Sequence, residues 1–151
     1  MVLLADMPAV GREFISQLEM PVFEHRAWSR PMPAGNRRVS VVSSAAVSRR
    51  GEKPFSWLAR DYRVIGKHDR DLVMTHVAVE YDRTAWQQDL NTIIPLDRLN
   101  EMEAANEIGS VSEEHYAFMG AADPRDMEKS ANEVIDRMKQ DNVNTVFLIP
   151  V

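Results

Sequence analysis

The chain has 151 residues, 44% hydrophobic and 27% charged, with a net charge of −5, which suits a single globular domain able to bury roughly two thirds of its unfolded surface. The acidic balance argues against non-specific nucleic-acid binding, and the lack of cysteine excludes a disulfide, a thiolate nucleophile or a cysteine-ligated metal within these residues. No apolar run approaches the roughly 20 residues of a membrane span, and Met-Val-Leu-Leu-Ala-Asp turns acidic too soon for a secretion signal; a cytoplasmic protein without membrane contact is expected.

Val10, Phe14 and Leu18, with Ile15 beside them, make one apolar helix stripe between Pro8 and Pro21. Residues 21–36 carry three prolines and little periodicity, so an irregular arm is expected, with Trp28 anchoring it. Early basic residues (Arg26, Arg30, Arg37, Arg38, Arg49, Arg50) read as solvated surface. Residues 1–36 therefore form a helix and arm, and 37–151 an α/β domain.

Val39, Val41 and Val42 mark a buried strand that ends in the small residues Ser43-Ser44-Ala45-Ala46. A long loop follows, with a short strand at Tyr62–Ile65. Alternation from Val73 to Glu80 predicts a strand with His76 on its less apolar side. Thr84 is placed to cap a helical turn, and Leu90–Ile94 is a short buried strand or a packed turn. Pro95 suits the first position of a helix that Gly109 stops. His115–Met119 is an extended aromatic run. Asp123-Pro124 opens an amphipathic helix through Met127, Ala131, Val134, Ile135 and Met138. The unbroken Val146-Phe147-Leu148-Ile149 that follows predicts a parallel strand buried on both faces. Element by element, this is a single α/β domain with a small, mostly parallel sheet flanked by helices.

In an open α/β sheet, ligands bind beyond the carboxyl ends of the strands. Ser43 and Ser44 stand at such an end and suit hydrogen bonding to a substrate carboxylate; no Ser-His-Asp spacing makes either a nucleophile. His76 and His115, near Asp82 and Asp89, are the candidate proton carriers. Asp89 and Asn91 flank the entry to the central helix, as substrate contacts or as caps. Arg98 is placed to pair with Asp97, Asp89 or an anionic ligand. Without a His-x-x-x-His or similar spacing no metal site is expected. The methionines at helix spacing read as core.

Five stretches occur in order: Val39-Ser-Val-Val-Ser-Ser-Ala-Ala-Val, Thr75-His76, Asp89-Leu-Asn-Thr-Ile-Ile-Pro-Leu-Asp-Arg-Leu, Glu107-Ile-Gly-Ser and His115-Tyr-Ala-Phe-Met-Gly. With the closing Val-Phe-Leu-Ile-Pro-Val they resemble the selenoprotein B subunit family of the glycine/sarcosine/betaine and D-proline reductases, over residues 37–151, and most closely its short stand-alone bacterial members.

The resemblance implies an oxidoreductase that reductively cleaves a carbon–nitrogen bond in a small amino-acid-like substrate. Its electrons would pass through a selenocysteine or cysteine redox pair directly after the segment matching Ile149-Pro150-Val151. A selenol suits the work because it is ionised at neutral pH. A partner redox subunit or a dithiol would supply the electrons.

No position here matches the redox residue, so the chain is expected to be inactive alone. Two accounts stand open: a frame that continues through a UGA codon, and a shortened relative. Two rival functions also stand: a non-catalytic subunit that binds a small molecule or assists assembly, and a metal-dependent hydrolase using His76, His115 and the aspartates. An uncovered last strand would favour a homo-oligomer.

Overall fold

The structure is a computed structural model describing residues 4–17, 19, 22, 24, 25, 29–78 and 83–151. Its contacts divide the chain into two units, Met1–Arg30 and Pro31–Val151. The first holds a 3-10 turn at Leu4–Asp6 and helix α1 at Ala9–Gln17, where the spacing of Val10, Phe14 and Ile15 predicts a helix. Leu18, Pro21 and Trp28 lie outside the described residues.

The second unit is built on β1 (Arg38–Ser43), whose valines favour extended backbone and whose inner positions are buried. Along one edge, β7 (Thr145–Ile149) runs parallel to it, with Val39 opposite Thr145 and Ser43 opposite Ile149. The other edge is shared by two parallel strands, β5 (Ser110–Val111) and β6 (Glu114–Phe118), with Ser112 and Glu113 between them. Outside β6, β3 (Tyr62–Gly66) is antiparallel. A separate ribbon pairs β2 (Val47–Arg49) antiparallel with β4 (Leu72–Met74). The fold is α/β with a mostly parallel sheet, as the sequence predicts.

Each face of the sheet has its own cover. Helix α3 (Leu96–Ala104), with Ile93 and Ile94 ahead of it, packs Leu96 and Leu99 against Val39, Val41, Ile65 and Ala117. On the opposite face, α4 (Glu128–Gln140) lays Val134 and Met138 over Tyr116 and Phe118, beside Val42, Tyr62 and Val64. Each such side chain removed from water contributes about 1.5–3 kcal/mol.

Both helices stop on a left-handed asparagine. After α3, Asn106 has φ 59°; its N–H reaches Glu103 O at 3.0 Å and the next, from Glu107, reaches Met102 O at 2.9 Å. After α4, Asn142 has φ 55°, with bonds from Asn142 to Lys139 O and from Val143 to Met138 O. These paired bonds satisfy the last free carbonyls.

Gly109 is therefore not the stop predicted for α3. It is required for close approach: a Cβ there would lie 2.6 Å from Gly35 O and 2.9 Å from Arg37 O. Thr84 is inside helix α2 (Thr84–Gln88) rather than at its cap, which is Arg83. Leu90–Thr92 is a 3-10 turn, not a strand. The strand predicted over 73–80 is shorter: β4 ends at Met74, 75–78 are irregular, and Val79 and Glu80 lie outside the described residues.

The largest departure is β7. Its run Val146-Phe147-Leu148 is 42%, 48% and 61% exposed, not buried on both faces. The strand occupies the sheet's outer edge, and α4 sits over β1, β6 and β3 instead.

Candidate functional site

At the carboxyl end of β1 the chain turns sharply in small residues. Ser43 is fully buried, and its Oγ accepts from the Ala45 N–H at 3.2 Å. The Ser44 N–H continues the ladder to Ile149 O at 3.1 Å. The Ser44 Oγ accepts from the Val151 N–H at 2.9 Å, so this hydroxyl holds the backbone just past β7. Ala46 has φ 51° and donates its N–H to Phe118 O at 2.8 Å, which ties the turn to the end of β6.

Gly120 closes the other side. Its φ is 80°, and a Cβ there would meet the Ser44 Cβ at 2.7 Å. Only glycine meets both demands. Beyond it, Ala46, Met119, Phe55 and Ala59 pack together, with Val77 against them. The result is an apolar rim with one half-buried hydroxyl, Ser44, pinned between two backbone segments.

His76 approaches the same rim. The preceding residue, Thr75, donates its N–H to Ala46 O at 2.9 Å. His76 is buried, and its Nδ1 accepts from the Ala78 N–H at 3.1 Å. Asp82 lies outside the described residues.

His115 has a different position. In a regular ladder the Glu114 carbonyl would accept from Val41; here it accepts from the Ser40 hydroxyl at 2.8 Å. The Val41 N–H goes instead to His115 Nδ1, at 3.1 Å. The imidazole thus fills the break between β5 and β6. It is fully buried, and Nε2 finds no partner. Burial, aided by the positive charge of Lys67, pushes its pKa down to about 4.

Asp89 and Asn91 work on the helix entry. Asp89 Oδ1 accepts from the Asn91 N–H at 2.9 Å and from Asn91 Nδ2 at 2.8 Å. Asn91 Oδ1 then accepts from the Asp97 N–H at 3.1 Å, in the first turn of α3. Those hydrogen bonds hold the Asp89 carboxyl below its usual range. Arg98 pairs with Glu101 at 2.9 Å. The six predicted residues thus separate: Ser43, Ser44 and His76 border the carboxyl rim, Asp89 caps the 3-10 turn at Leu90–Thr92, Asn91 holds the first turn of α3, and His115 plugs the sheet.

The amino ends of the strands carry a network the sequence reading missed. Arg38 Nη2 meets Asp141 Oδ1 at 2.5 Å, and its Nη1 donates to Ser110 Oγ and Val111 O at 3.2 Å. Asp141 Oδ2 accepts from the Ser112 hydroxyl at 2.7 Å. Next to it, Arg137 grips Glu114 in a two-pronged pair at 2.5 and 2.8 Å, and the Tyr116 hydroxyl donates to Glu114 at 3.1 Å. Arg137 lowers the Glu114 pKa; burial, reinforced by Glu114, pushes Tyr116 up to about 12. Burial alone would raise Asp141, but the Ser112 and Arg38 bonds bring it down. No spacing signals such pairs, since Arg38 and Asp141 are 103 positions apart.

A groove of about 340 Å³ opens here, lined by Glu113, Glu114, Arg137, Gln140 and Asp141. Within it Glu114 is paired with Arg137, and Asp141 is paired with Arg38. Among the described residues no group of three His, Asp or Glu is placed to hold a metal, and no helix is long and apolar enough to cross a membrane.

Fold and rim define a small α/β domain whose strand-end turn clasps the chain leaving its last strand. The family profile of glycine/sarcosine/betaine reductase selenoprotein B matches residues 3–150, so the chain belongs to that family of reductase-type selenoprotein B subunits. No curated protein and no solved structure matches it.

Proposed function

We propose that this chain forms part of a reductase acting on the carbon–nitrogen bond of a small amino-acid-like substrate of the glycine, sarcosine, betaine or D-proline type. The observation that carries the reading is the family match over residues 3–150. A second supports its location: the backbone at Val151 rests on Ser44, at the strand end where α/β sheets bind ligands.

Such a cleavage consumes two electrons; one proton completes the new carbon–hydrogen bond, and a second goes to the leaving nitrogen where that nitrogen is neither protonated nor quaternary. A selenol or thiol would supply the electrons, and this chain has no cysteine. The redox group therefore comes from outside these 151 residues, on a continuation or on a partner. What the chain contributes is the cradle. The half-buried Ser44 hydroxyl is the group of that turn offered to a carboxylate, Ser43 braces the turn from its buried side, and His76 borders the rim as proton donor. His115, Asp89 and Asn91 serve the frame.

Calorimetry with glycine, sarcosine, betaine and D-proline tests this. Binding of one of them, weakened about tenfold by Ser44→Ala, supports the cradle, a tenfold change being about 1.4 kcal/mol. No binding by any of the four, with the protein folded, removes it. Turnover by the pure chain with a dithiol would show that no redox group beyond the added dithiol is needed, and would overturn the assignment of that group to a continuation or a partner.

A second reading, a non-catalytic binding or assembly subunit, is favoured by the lack of any thiol. It predicts the same binding and no turnover when a thiol or selenol partner is added.

A further inference from the structure

We propose that β7 is a dimerisation edge, pairing antiparallel with β7 of a second copy of this chain about a two-fold axis at Phe147.

The ladder leaves it open. Ile149 O accepts from the Ser44 N–H, so in this parallel register the backbone groups of Thr145, Phe147 and Ile149 turn towards β1. Those of Val146 and Leu148 point outward. Among the described residues no other strand pairs with that side. The side chains on both faces are also uncovered, with Val146, Phe147 and Leu148 all exposed. Exposed edges are usually blunted by a charge, a proline or a bulge within the strand. Thr145–Ile149 has none of these.

Charge favours a second copy over an unlike partner. From Asn142 to Val151 there is no ionisable side chain, in a chain of net charge −5. Two copies meet along this edge without like-charge repulsion, whereas a charged partner gains nothing there. The adjoining helix extends the match. Arg137 and Glu133 lie on the side of α4 that faces Glu114 and Tyr62. Helical spacing puts Ile135, itself 44% exposed, on the opposite side, with Glu128 and Lys139 at either end of its row. Antiparallel apposition brings Glu128 of one copy towards Lys139 of the other.

Register follows from the free backbone groups. Val146 of one copy faces Leu148 of the other, and each pair exchanges two hydrogen bonds. Phe147 meets its own counterpart at a non-hydrogen-bonded site, where Cα atoms stand about 4.5 Å apart. That spacing admits a disulfide, and the chain has no native cysteine to confuse the result.

Sedimentation of the full 151-residue chain is expected to show twice the 17.2 kDa chain mass. Leu148→Lys should halve that mass while leaving the far-ultraviolet circular dichroism spectrum of the folded chain unchanged, because within one copy the side chain is 61% exposed. Phe147→Cys should cross-link the dimer under mild oxidation, and Val146→Cys, out of register with itself, at least tenfold more slowly. A wild-type chain that stays monomeric at every concentration overturns the proposal. So does a dimer that survives Leu148→Lys, or one that Phe147→Cys does not cross-link.

Discussion

The two ends of the sheet are built on opposite principles. At the amino ends, Arg38, Asp141, Ser112, Glu114, Arg137 and Tyr116 spend their polar atoms on one another and tie β1, β5 and β6 to α4. At the carboxyl ends, the chain turns in Ser43, Ser44, Ala45, Ala46 and Gly120, with little bulk and little charge. A matched ion network fixes strand positions across long distances in the chain. A turn of small residues instead lets backbone segments meet at short range, its amides bonded to Ile149, Ser43 and Phe118 and only the Ser44 side chain half-buried. The amino ends are tied by charge; the carboxyl ends are tied by backbone hydrogen bonds and close packing.

Acid should test the frame hardest. His115 is held neutral in the folded state, with a pKa near 4 against an ordinary value of 6.5. Between those values the unfolded chain binds the proton and the folded chain does not. Stability from this group is therefore complete above about pH 6.5 and falls as pH drops towards 4, by about 3 kcal/mol in all. Urea midpoints measured across pH 4–7 should show that slope. His115→Leu should flatten it while lowering the neutral-pH plateau, because the Val41 N–H loses its acceptor.

Next comes Arg38→Ala. It strips Asp141 of its partner in a half-buried setting, and a loss of about 2–3 kcal/mol in urea unfolding is expected. Ligand binding at the carboxyl rim should be unchanged once the protein is folded. A large change there would erase the contrast between the two ends.

Gly120→Ala works on the other end. The left-handed backbone and the overlap with Ser44 should together cost about 2 kcal/mol, read as a lower melting temperature. Because the added methyl displaces the Ser44 side chain, any ligand affinity at the rim should fall with it.

Ser44→Ala is the mildest. It removes the acceptor for the Val151 N–H, and about 1 kcal/mol of stability is expected to go. Hydrogen exchange should show faster exchange at Val151 and little change at Val41. Equal effects at both amides would mean that the rim and the frame are not separate.

Much of the frame is legible in the sequence. Val39, Val41 and Val42 announced β1, the Val134–Met138 spacing announced α4, and Asp123-Pro124 marked the start of the helical run. The end of α3 is misread where Gly109 draws attention from Asn106, whose left-handed backbone has no periodic signature. The end of β1 at Ser43 and the turn at Ser44 are legible from the small residues that follow the valines. His115 looked like a proton carrier because sequence shows a residue type, not whether its nitrogen fills a gap in a ladder.

What the sequence determined by itself is local: which stretches extend, which coil, and that no thiol lies within them. Those follow from side-chain sterics and short-range periodicity, which act between near neighbours in the chain. Only the tertiary structure decided that Arg38 meets Asp141, that His115 serves Val41, and that the most apolar strand lies on the edge rather than in the middle. Those outcomes depend on which distant segments share a surface. A hydrophobic strand looks the same in the chain whether its cover comes from a helix above it or from a neighbour beyond its edge.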